Sequence, residues 1–267
     1  MADLESAATV SVTRLTPSGA AAGERTLAAE TPVAISFCGI GYAVMMSTPA
    51  DLEDFAFGFA LSERLIGTPA DIVGIQIAPA ETGLLLDVEL VHARRPLVFD
   101  RVRHRVGESS CGLCGIENLD LALRPLPRLS APPPVTSQAI FAALAALGDR
   151  QPINAATGAV HAAAFCAADG TILAAREDVG RHNALDKLIG HGLRGGLEPT
   201  SGFVLLSARC SYELVEKAAL WGVPLLVTVS APTGLAVRRA EEAKLTLIAL
   251  ARPDAMLVMT DPYGLFG

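Results

Sequence analysis

The chain has 267 residues, of which 51% are hydrophobic and 18% are charged, and its mean hydropathy is positive. This composition excludes disorder throughout and is sufficient for one large or two modest domains. The formal net charge of −7 excludes broad, non-specific binding to nucleic acids. No apolar run long enough to span a membrane and no secretory leader pattern is present, so we expect a soluble, cytoplasmic protein without nucleic-acid or membrane partners.

The first half of the chain predicts a small mixed α+β domain over residues 31–123, after a weakly ordered segment at 1–30. PVAISFCGIGYAVMMS predicts a hairpin with its turn near residues 39–41. The stretch that follows predicts a helix with Thr48 as its N-cap and Pro49 in its first turn. Strands are then predicted at DIVGIQIAP, LLLDVELVH and PLVFDRVRHRV.

Residues 124–135 contain five prolines in twelve positions, which predicts a linker because neither a helix nor a central strand tolerates them. Residues 136–267 then predict a helix, a hairpin around Asp169 and Gly170, and apolar strands joined by helices. Two helical crossovers between apolar strands are typical of parallel pairing. We therefore predict a second domain of the α/β class, with a mostly parallel sheet between helical layers.

The segment SSCGLCG holds two of the five cysteines, Cys111 and Cys114, in a C-x-x-C spacing flanked by glycines. A structural zinc site is disfavoured because a second pair of ligands is missing from the sequence. A thioredoxin-like site is disfavoured because glycine and two prolines follow the motif, where a helix would be needed. Five arginines lie upstream and favour the nucleophilic thiolate, at Arg94, Arg95, Arg101, Arg103 and Arg105.

A second group of polar residues lies where a predicted strand meets a predicted helix, in REDVGRHNALDKLIG. Arg181, His182 and Asn183 fall at the helix start, where free backbone N–H groups suit anions. Ser207 and Arg209 follow a later strand, and ligands of open α/β sheets gather at such strand ends. The structural alternative is an ordinary helix start, with Asp178 as a cap and a solvated Asp186–Lys187 pair.

Taken together, SSCGLCG, EDVGRHNALDKLIG, VPLLVTVSAPTGLAV and TPADLEDFAFGFALSERLI make the chain similar to the formate dehydrogenase accessory sulfurtransferases, the FdhD family. The resemblance runs from about residue 30 to the C-terminus. It implies that Cys111 carries a persulfide received from a cysteine desulfurase and that Cys114 assists. It also implies that the sulfur is passed to the molybdenum cofactor, as bis-molybdopterin guanine dinucleotide, before the cofactor enters formate dehydrogenase.

The resemblance further implies a homodimer and a cofactor-binding stretch near the C-terminus. That stretch corresponds here to Met256, Leu257, Val258, Met259, Thr260 and Asp261. We expect the cofactor to be a bound substrate, held by these residues together with Arg181, His182, Asn183, Ser207 and Arg209.

The implied fold of the C-terminal domain is similar to that of the cytidine deaminases, in which a His or Cys opens one helix and C-x-x-C opens the next, together holding zinc. The matching positions hold His182 and Cys210. Ala184 stands where the deaminases have their acid–base glutamate, and Glu213 stands in place of a zinc cysteine. We therefore expect neither deaminase activity nor a structural metal.

Two other functions are compatible with the sequence. The chain could be a non-enzymatic chaperone of the molybdenum cofactor that needs neither cysteine. It could also be a thiol-disulfide oxidoreductase that uses both Cys111 and Cys114. Replacing each cysteine separately distinguishes the three hypotheses.

Overall fold

A computed structural model describes residues 6–106 and 123–267, without the side chains of 103–106. Within these ranges no helix is long and apolar enough to cross a membrane. The helices are α1 (Leu52–Ser62), α2 (Arg95–Val106), α3 (Ser137–Ala146), α4 (Pro152–Thr157), α5 (Arg181–Gly195), α6 (Tyr212–Trp221) and α7 (Gly234–Ala243).

Residues 7–28 form an antiparallel hairpin of two long strands, β1 (Ala7–Thr16) and β2 (Gly19–Ala28). The expectation of weak order for 1–30 is therefore wrong for this part. Alternating Thr and Val residues in β1 favour an extended backbone, and Gly19 adopts the positive φ of 144° that closes the turn. The hairpin contacts the C-terminal half, where the Arg25 guanidinium donates to the Thr157 carbonyl at 2.7 Å.

A four-stranded sheet follows, made of β3 (Thr31–Phe37), β4 (Ile40–Ser47), β5 (Ile72–Ala80) and β6 (Gly83–Leu90) in the order β4-β3-β6-β5. The predicted β3–β4 hairpin is confirmed, with Cys38 and Gly39 at positive φ in its turn. Val33, Ile35 and Phe37 alternate along β3 and point into the core.

Two more predictions for this half are wrong. Helix α1 begins at Leu52 with Asp51 at its N-cap, and the Thr48 hydroxyl accepts a hydrogen bond from the Val179 amide rather than capping the helix. PLVFDRVRHRV is the helix α2 rather than a strand. Its sequence is ambiguous, since Val102 and Val106 fit a strand repeat as well as a helical one, but Val98 and Val102 pack into the core at helical spacing.

The C-terminal half contains a six-stranded sheet, in the order β12-β11-β10-β9-β7-β8. Its strands are β7 (His161–Ala167), β8 (Ile172–Asp178), β9 (Gly202–Leu206), β10 (Leu225–Thr228), β11 (Thr246–Ala249) and β12 (Leu257–Thr260). Of its five neighbouring pairs, β9–β10 and β10–β11 are parallel and the other three are antiparallel, so the prediction of a mostly parallel sheet is wrong. The predicted crossovers α6 and α7 account for the parallel pairs, whereas short connections before β8 and β12 impose antiparallel pairing.

The two faces of this sheet are covered by different elements. Phe165 and Leu206 pack into the core that includes α5, α6, α7, α1 and the four-stranded sheet. Ala164 and Phe203 pack on the opposite face against α3. The segment 125–136 forms neither helix nor strand, as its prolines require, and the Leu129 amide donates to the Ala243 carbonyl at 2.9 Å.

The two halves meet where α1 crosses α5 at very short range. A Cβ added to Gly58 would lie 1.8 Å from the Asp186 carbonyl oxygen, and one added to Gly190 would lie 1.7 Å from that of Asp54. Both glycines are therefore needed for the helix backbones to touch. One hydrophobic core continues across this contact, so the halves form a single packed body around it.

Candidate functional site

Three basic side chains gather at the edge of the six-stranded sheet where the parallel strands end. Arg209 follows β9, Arg181 begins α5, and His161 begins β7, which runs antiparallel to β9 and so starts at the same edge. Burial, followed by the charges of Arg181 and Arg209, lowers the pKa of His161. We call His161, Arg181 and Arg209 the edge cluster.

The edge cluster is suited to an anionic group. Within the described ranges, the buried Nε of Arg181 has no hydrogen-bond partner. Guanidinium groups bind phosphate and carboxylate oxygens strongly, and a buried donor without an acceptor is costly. Ser207 lies beside the cluster but serves the backbone, since its hydroxyl accepts from the Ala162 amide at 2.8 Å.

His182 points from the start of α5 into a neighbouring groove of about 330 Å³. Its Nε2 lies 3.0 Å from both the Ser211 hydroxyl and the Glu213 carboxylate. The hydrogen bond from His182 is the main reason that the pKa of Glu213 is lowered. The groove is lined by Ala43, Met45, Phe59, Ser62, Glu63, Arg124, His182, Asp186, Tyr212, Glu213, Glu216, Lys217 and Leu220.

The floor of the groove holds a buried ion pair between Asp186 and Lys217. The Lys217 ammonium donates to both carboxylate oxygens, at 2.7 and 2.6 Å, and the Ser62 hydroxyl donates at 2.6 Å. Burial raises the pKa of Asp186, and Lys217 opposes this effect. Burial and a charged neighbour in a cleft are common features of functional sites.

Arginines from distant parts of the chain meet at the end of α1, beside the groove. Arg101 of α2 donates to the Glu63 carbonyl at 2.9 Å, and Arg64 donates to the Pro125 carbonyl at 2.9 Å. Arg239 donates to the Arg124 carbonyl. Burial, followed by the charges of Arg101 and Arg64, lowers the pKa of Arg124. The chain on both sides of residues 107–122 is therefore bound at the same place.

Part of the arginine run that was predicted to activate the cysteines is neutralised by acids. Arg94 lies 3.0 Å from the Asp71 carboxylate, and Arg95 pairs with Glu89. Arg101 lies 3.9 Å from the Glu63 carboxylate. The side chains of 103 and 105 lie outside the description. These carboxylates offset the positive charge of the three arginines. The net charge around them is therefore less positive than their sequence alone suggests.

Cys111 and Cys114, the predicted catalytic residues, lie outside the described residues. Cys166 and Cys210 are buried, and burial raises the pKa of each thiol to about 12, so neither is a ready nucleophile. Cys38 is half-buried, and its sulfur accepts from the Leu90 amide at 3.5 Å. In the described part of the chain, no three His, Cys, Asp or Glu side chains gather as metal ligands.

Asn183, predicted to bind the cofactor, is buried and has internal partners. Its side-chain amide donates to the Met46 carbonyl at 2.8 Å and to the Asp178 carboxylate at 3.1 Å. The predicted solvated pair of Asp186 with Lys187 is also wrong, since Lys187 is fully buried and lies 2.6 Å from Asp178. Asp178 is not itself the N-cap, which is Gly180, although it accepts from the Gly180 amide.

The predicted C-terminal stretch, Met256 to Asp261, is not brought to the edge cluster. It forms the edge strand β12, separated from β9 by β11 and β10. Leu257 and Val258 are exposed, and Met256 and Met259 pack partly against the core. Thr260 bonds to the backbone of β11, and the Asp261 carboxylate accepts from the Leu265 and Phe266 amides.

The groove residues on α6 were not predicted from the sequence, although a helical repeat relates them. His182 and Asp186 are four residues apart and so share one face of α5. Glu213, Glu216, Lys217 and Leu220 likewise share one face of α6. The spacing of these residues could have identified one shared face on each helix. It could not have shown that the two faces lie opposite each other.

Comparison with known proteins identifies the family. The FdhD/NarQ family model matches residues 28–265. A sulfur carrier protein FdhD from Bordetella petrii is 42% identical over 244 residues, which cover 91% of this chain and 88% of that protein. Another, from Xanthomonas campestris pv. campestris, is 45% identical over 239 residues, 90% of this chain and 85% of that protein.

A solved structure supports the fold. It is that of a protein from Desulfotalea psychrophila described as a formate dehydrogenase accessory protein, and it matches with a TM-score of 0.74 at 24% identity. The match covers 97% of this chain and 99% of that one. The family model and the curated relatives each span most of the sequence, and the chain therefore belongs to the FdhD/NarQ family.

Proposed function

We propose that this protein is a sulfurtransferase that carries sulfur as a persulfide on Cys111. It takes the sulfur from a cysteine desulfurase and passes it to the molybdenum cofactor, as bis-molybdopterin guanine dinucleotide, which formate dehydrogenase then requires. Membership of the FdhD/NarQ family supports the proposal, as do the many relatives named sulfur carrier protein FdhD. It works in the cytoplasm as a homodimer.

The observation that carries the proposal is the anchoring of both flanks of the C-x-x-C segment beside the groove. Arg101 and the carbonyls of 124 and 125 are bound at the end of α1. Cys111 follows Arg101 by ten residues, and Cys114 precedes Arg124 by ten. Ten extended residues span at most about 35 Å, which bounds the distance between each thiol and its nearer anchored flank.

Sulfur uptake is a thiol exchange at sulfur. The Cys111 thiolate attacks the terminal sulfur of the desulfurase persulfide, the old S–S bond breaks, and the desulfurase cysteine leaves as a thiolate. For release, the Cys114 thiolate attacks Cys111, which forms a disulfide and expels the sulfur as hydrosulfide. Alternatively, Cys114 assists loading, and the acceptor takes the sulfur directly.

The edge cluster is the best candidate for holding the phosphates of the acceptor. Its two guanidinium groups and the unpartnered Nε of Arg181 fit a pyrophosphate, which presents several anionic oxygens. His182 connects the edge cluster to the groove, which would bring the bound acceptor to the side of the protein where the C-x-x-C flanks are anchored. The cofactor is here a substrate, and its chemistry belongs to the client enzyme.

Mass spectrometry after incubation with a cysteine desulfurase and cysteine tests the sulfur step. We expect the mass of one sulfur atom to be added at Cys111 and to be lost in Cys111→Ala. Cys38→Ser is the matched control and keeps the added sulfur. If Cys111→Ala still restores formate dehydrogenase activity in a deficient strain, the chaperone function is correct instead. Insulin reduction that requires both cysteines would favour an oxidoreductase.

Binding of guanosine diphosphate, measured by calorimetry, tests the acceptor site. Arg209→Ala removes one guanidinium of the edge cluster, and we expect about tenfold weaker binding because charge-assisted hydrogen bonds are lost. Arg238→Ala removes an exposed arginine on α7 and serves as the control. Equal affinities of the two variants would contradict the assignment.

A further inference from the structure

The end of β4 is joined to the start of α5 by a buried polar network, which we call the β4–α5 joint. It comprises Met46, Ser47 and Thr48 on one side, and Asp178, Asn183 and Lys187 on the other. The Asp178 carboxylate is at its centre. One oxygen accepts from the Lys187 ammonium at 2.6 Å, the Ser47 hydroxyl at 2.6 Å and the Thr48 amide at 3.0 Å.

The other Asp178 oxygen accepts from the Gly180 amide at 2.7 Å and from Asn183 at 3.1 Å. Lys187 also donates to the Thr48 carbonyl at 2.8 Å. Asp178 and Lys187 are each 0% exposed. A carboxylate has about four acceptor positions, so five donors leave no capacity for a ligand. Asp178 therefore cannot act by touching sulfur or an acceptor, and Asn183 and Lys187 are buried with it and bonded to it.

The joint nevertheless adjoins the site residues on both sides. Arg181 and His182 stand between Gly180 and Asn183, both of which are bonded to Asp178. On the other side, Met45 and Ala43 of β4 line the groove immediately before Met46, whose carbonyl Asn183 binds. One carboxylate thus links the groove wall contributed by β4 to the helix start that carries Arg181 and His182.

We propose that Asp178 is a positioning residue, which fixes Arg181 and His182 relative to the N-terminal half that anchors the C-x-x-C flanks. Its role in sulfur delivery rests on the function proposed above. An ion pair is suited to this task because each hydrogen bond has a direction, whereas apolar contacts tolerate sliding. Burial lowers the pKa of Lys187, and the charge of Asp178 opposes that shift.

The test compares sulfur loading with sulfur delivery in Asp178→Asn and in the milder Ser47→Ala, which removes one donor from the same carboxylate. Loading is the sulfur added to Cys111 by a desulfurase. Delivery is the formate dehydrogenase activity restored in a deficient strain, scaled to the amount of folded protein. We expect loading within twofold of wild type and delivery at least tenfold lower in Asp178→Asn, since small displacements of positioned groups reduce rates strongly. Ser47→Ala lowers delivery to a smaller extent.

The matched control is Arg194→Met, which removes the ion pairs of Arg194 with the exposed Glu53 and the buried Asp54, between the same two halves near the other end of α5. Delivery stays within twofold of wild type in this variant. A loss of delivery as large as that of Asp178→Asn would overturn the proposal, because any weakening of the interface would then suffice. Parallel loss of loading and delivery in Asp178→Asn and Ser47→Ala would also overturn it.

A readout that does not involve sulfur separates this inference from the proposed function. In NMR spectra of ¹⁵N-histidine-labelled protein, we expect the His182 ring signals to shift in Ser47→Ala and to stay unchanged in Arg194→Met. If wild-type protein takes up no sulfur but His182 shifts as expected, the proposed function fails and the positioning role stands. Unchanged His182 signals in Ser47→Ala and Asp178→Asn would refute the positioning role.

Discussion

Two of the contacts between helix α5 and the N-terminal half are built differently. At its start, Asp178 and Lys187 form a fully buried polar joint with the end of β4. Further along, Gly190 lets α5 touch the backbone of α1, and Arg194 adds an exposed ion pair. The first contact depends on pairing every polar group, and the second depends on the absence of a side chain. The residues proposed to bind the acceptor adjoin the first contact.

The polar joint should be the more sensitive of the two contacts. Lys187→Met leaves the Asp178 carboxylate buried without its cation, and we expect unfolding free energy to fall by about 3–5 kcal/mol. The double variant Asp178→Asn/Lys187→Met removes both charges and should recover much of the loss. Urea unfolding of the single and double variants measures these changes in unfolding free energy. A single variant with wild-type stability would show that the buried pair is dispensable.

The glycine contact should rank second. An alanine Cβ at Gly190 would meet the Asp54 carbonyl, which belongs to the backbone and cannot turn away. We expect Gly190→Ala to cost about 2 kcal/mol, as overpacked cores do. Gly195→Ala in the same helix is the control, since a Cβ there meets nothing within 4 Å. Urea unfolding should find Gly195→Ala at least as stable as wild type. Equal stabilities of the two variants would contradict the close approach.

The exposed ion pair should matter less. The side chains of Arg194 and Glu53 are 40% and 51% exposed, and Asp54 keeps Arg176 as a partner at 2.8 Å. We expect Arg194→Met to lower the unfolding free energy by less than about 1 kcal/mol. Repeating the urea unfolding in high salt should reduce even this difference, because salt screens exposed charges. A loss as large as that of Lys187→Met would erase the distinction between the two contacts.

The smallest expected effect is on stability at acidic pH, through the His182–Glu213 pair in the groove beside the polar joint. His182 lowers the pKa of Glu213 below its ordinary value of 4.5, so the folded state binds fewer protons than the unfolded state near that pH. The resulting stabilisation is present above pH 4.5 and is lost as the pH falls through the lowered pKa. In His182→Asn, the urea midpoint should therefore depend less on pH below 4.5 than in wild type. An identical pH dependence would show that the pair is not formed in solution.

Local patterns in the sequence predicted many elements correctly. The β3–β4 hairpin, helix α5 and the alternation of strands and helices from β9 to β12 follow from hydrophobic repeats and turn residues close together in the chain. Helix α2 was missed because its valines satisfy two repeats at once. The β1–β2 hairpin was missed because its alanines and glycines obscured a strand pattern carried by Thr and Val.

The polar residues of the candidate site show more clearly which features could not be predicted from the sequence. Arg181, His182 and Asn183 are consecutive, yet His182 faces the groove while Asn183 is bonded to Met46 across the interface. Asp186 and Lys187 are adjacent in sequence and looked like a pair, but each has its partner on another element. Which charges pair depends on contacts between residues up to 141 positions apart, such as Arg194 with Glu53.

By itself, the sequence determined the order of the elements from β9 to β12, the two sulfur atoms of the C-x-x-C motif and the concentration of polar groups at one helix start. These properties are local, because they depend on residue types within a few positions of one another. Only the tertiary structure decided which of the polar groups are paired in the contact between the halves and which face the groove. Burial and pairing are set by distant segments that meet only in the folded chain.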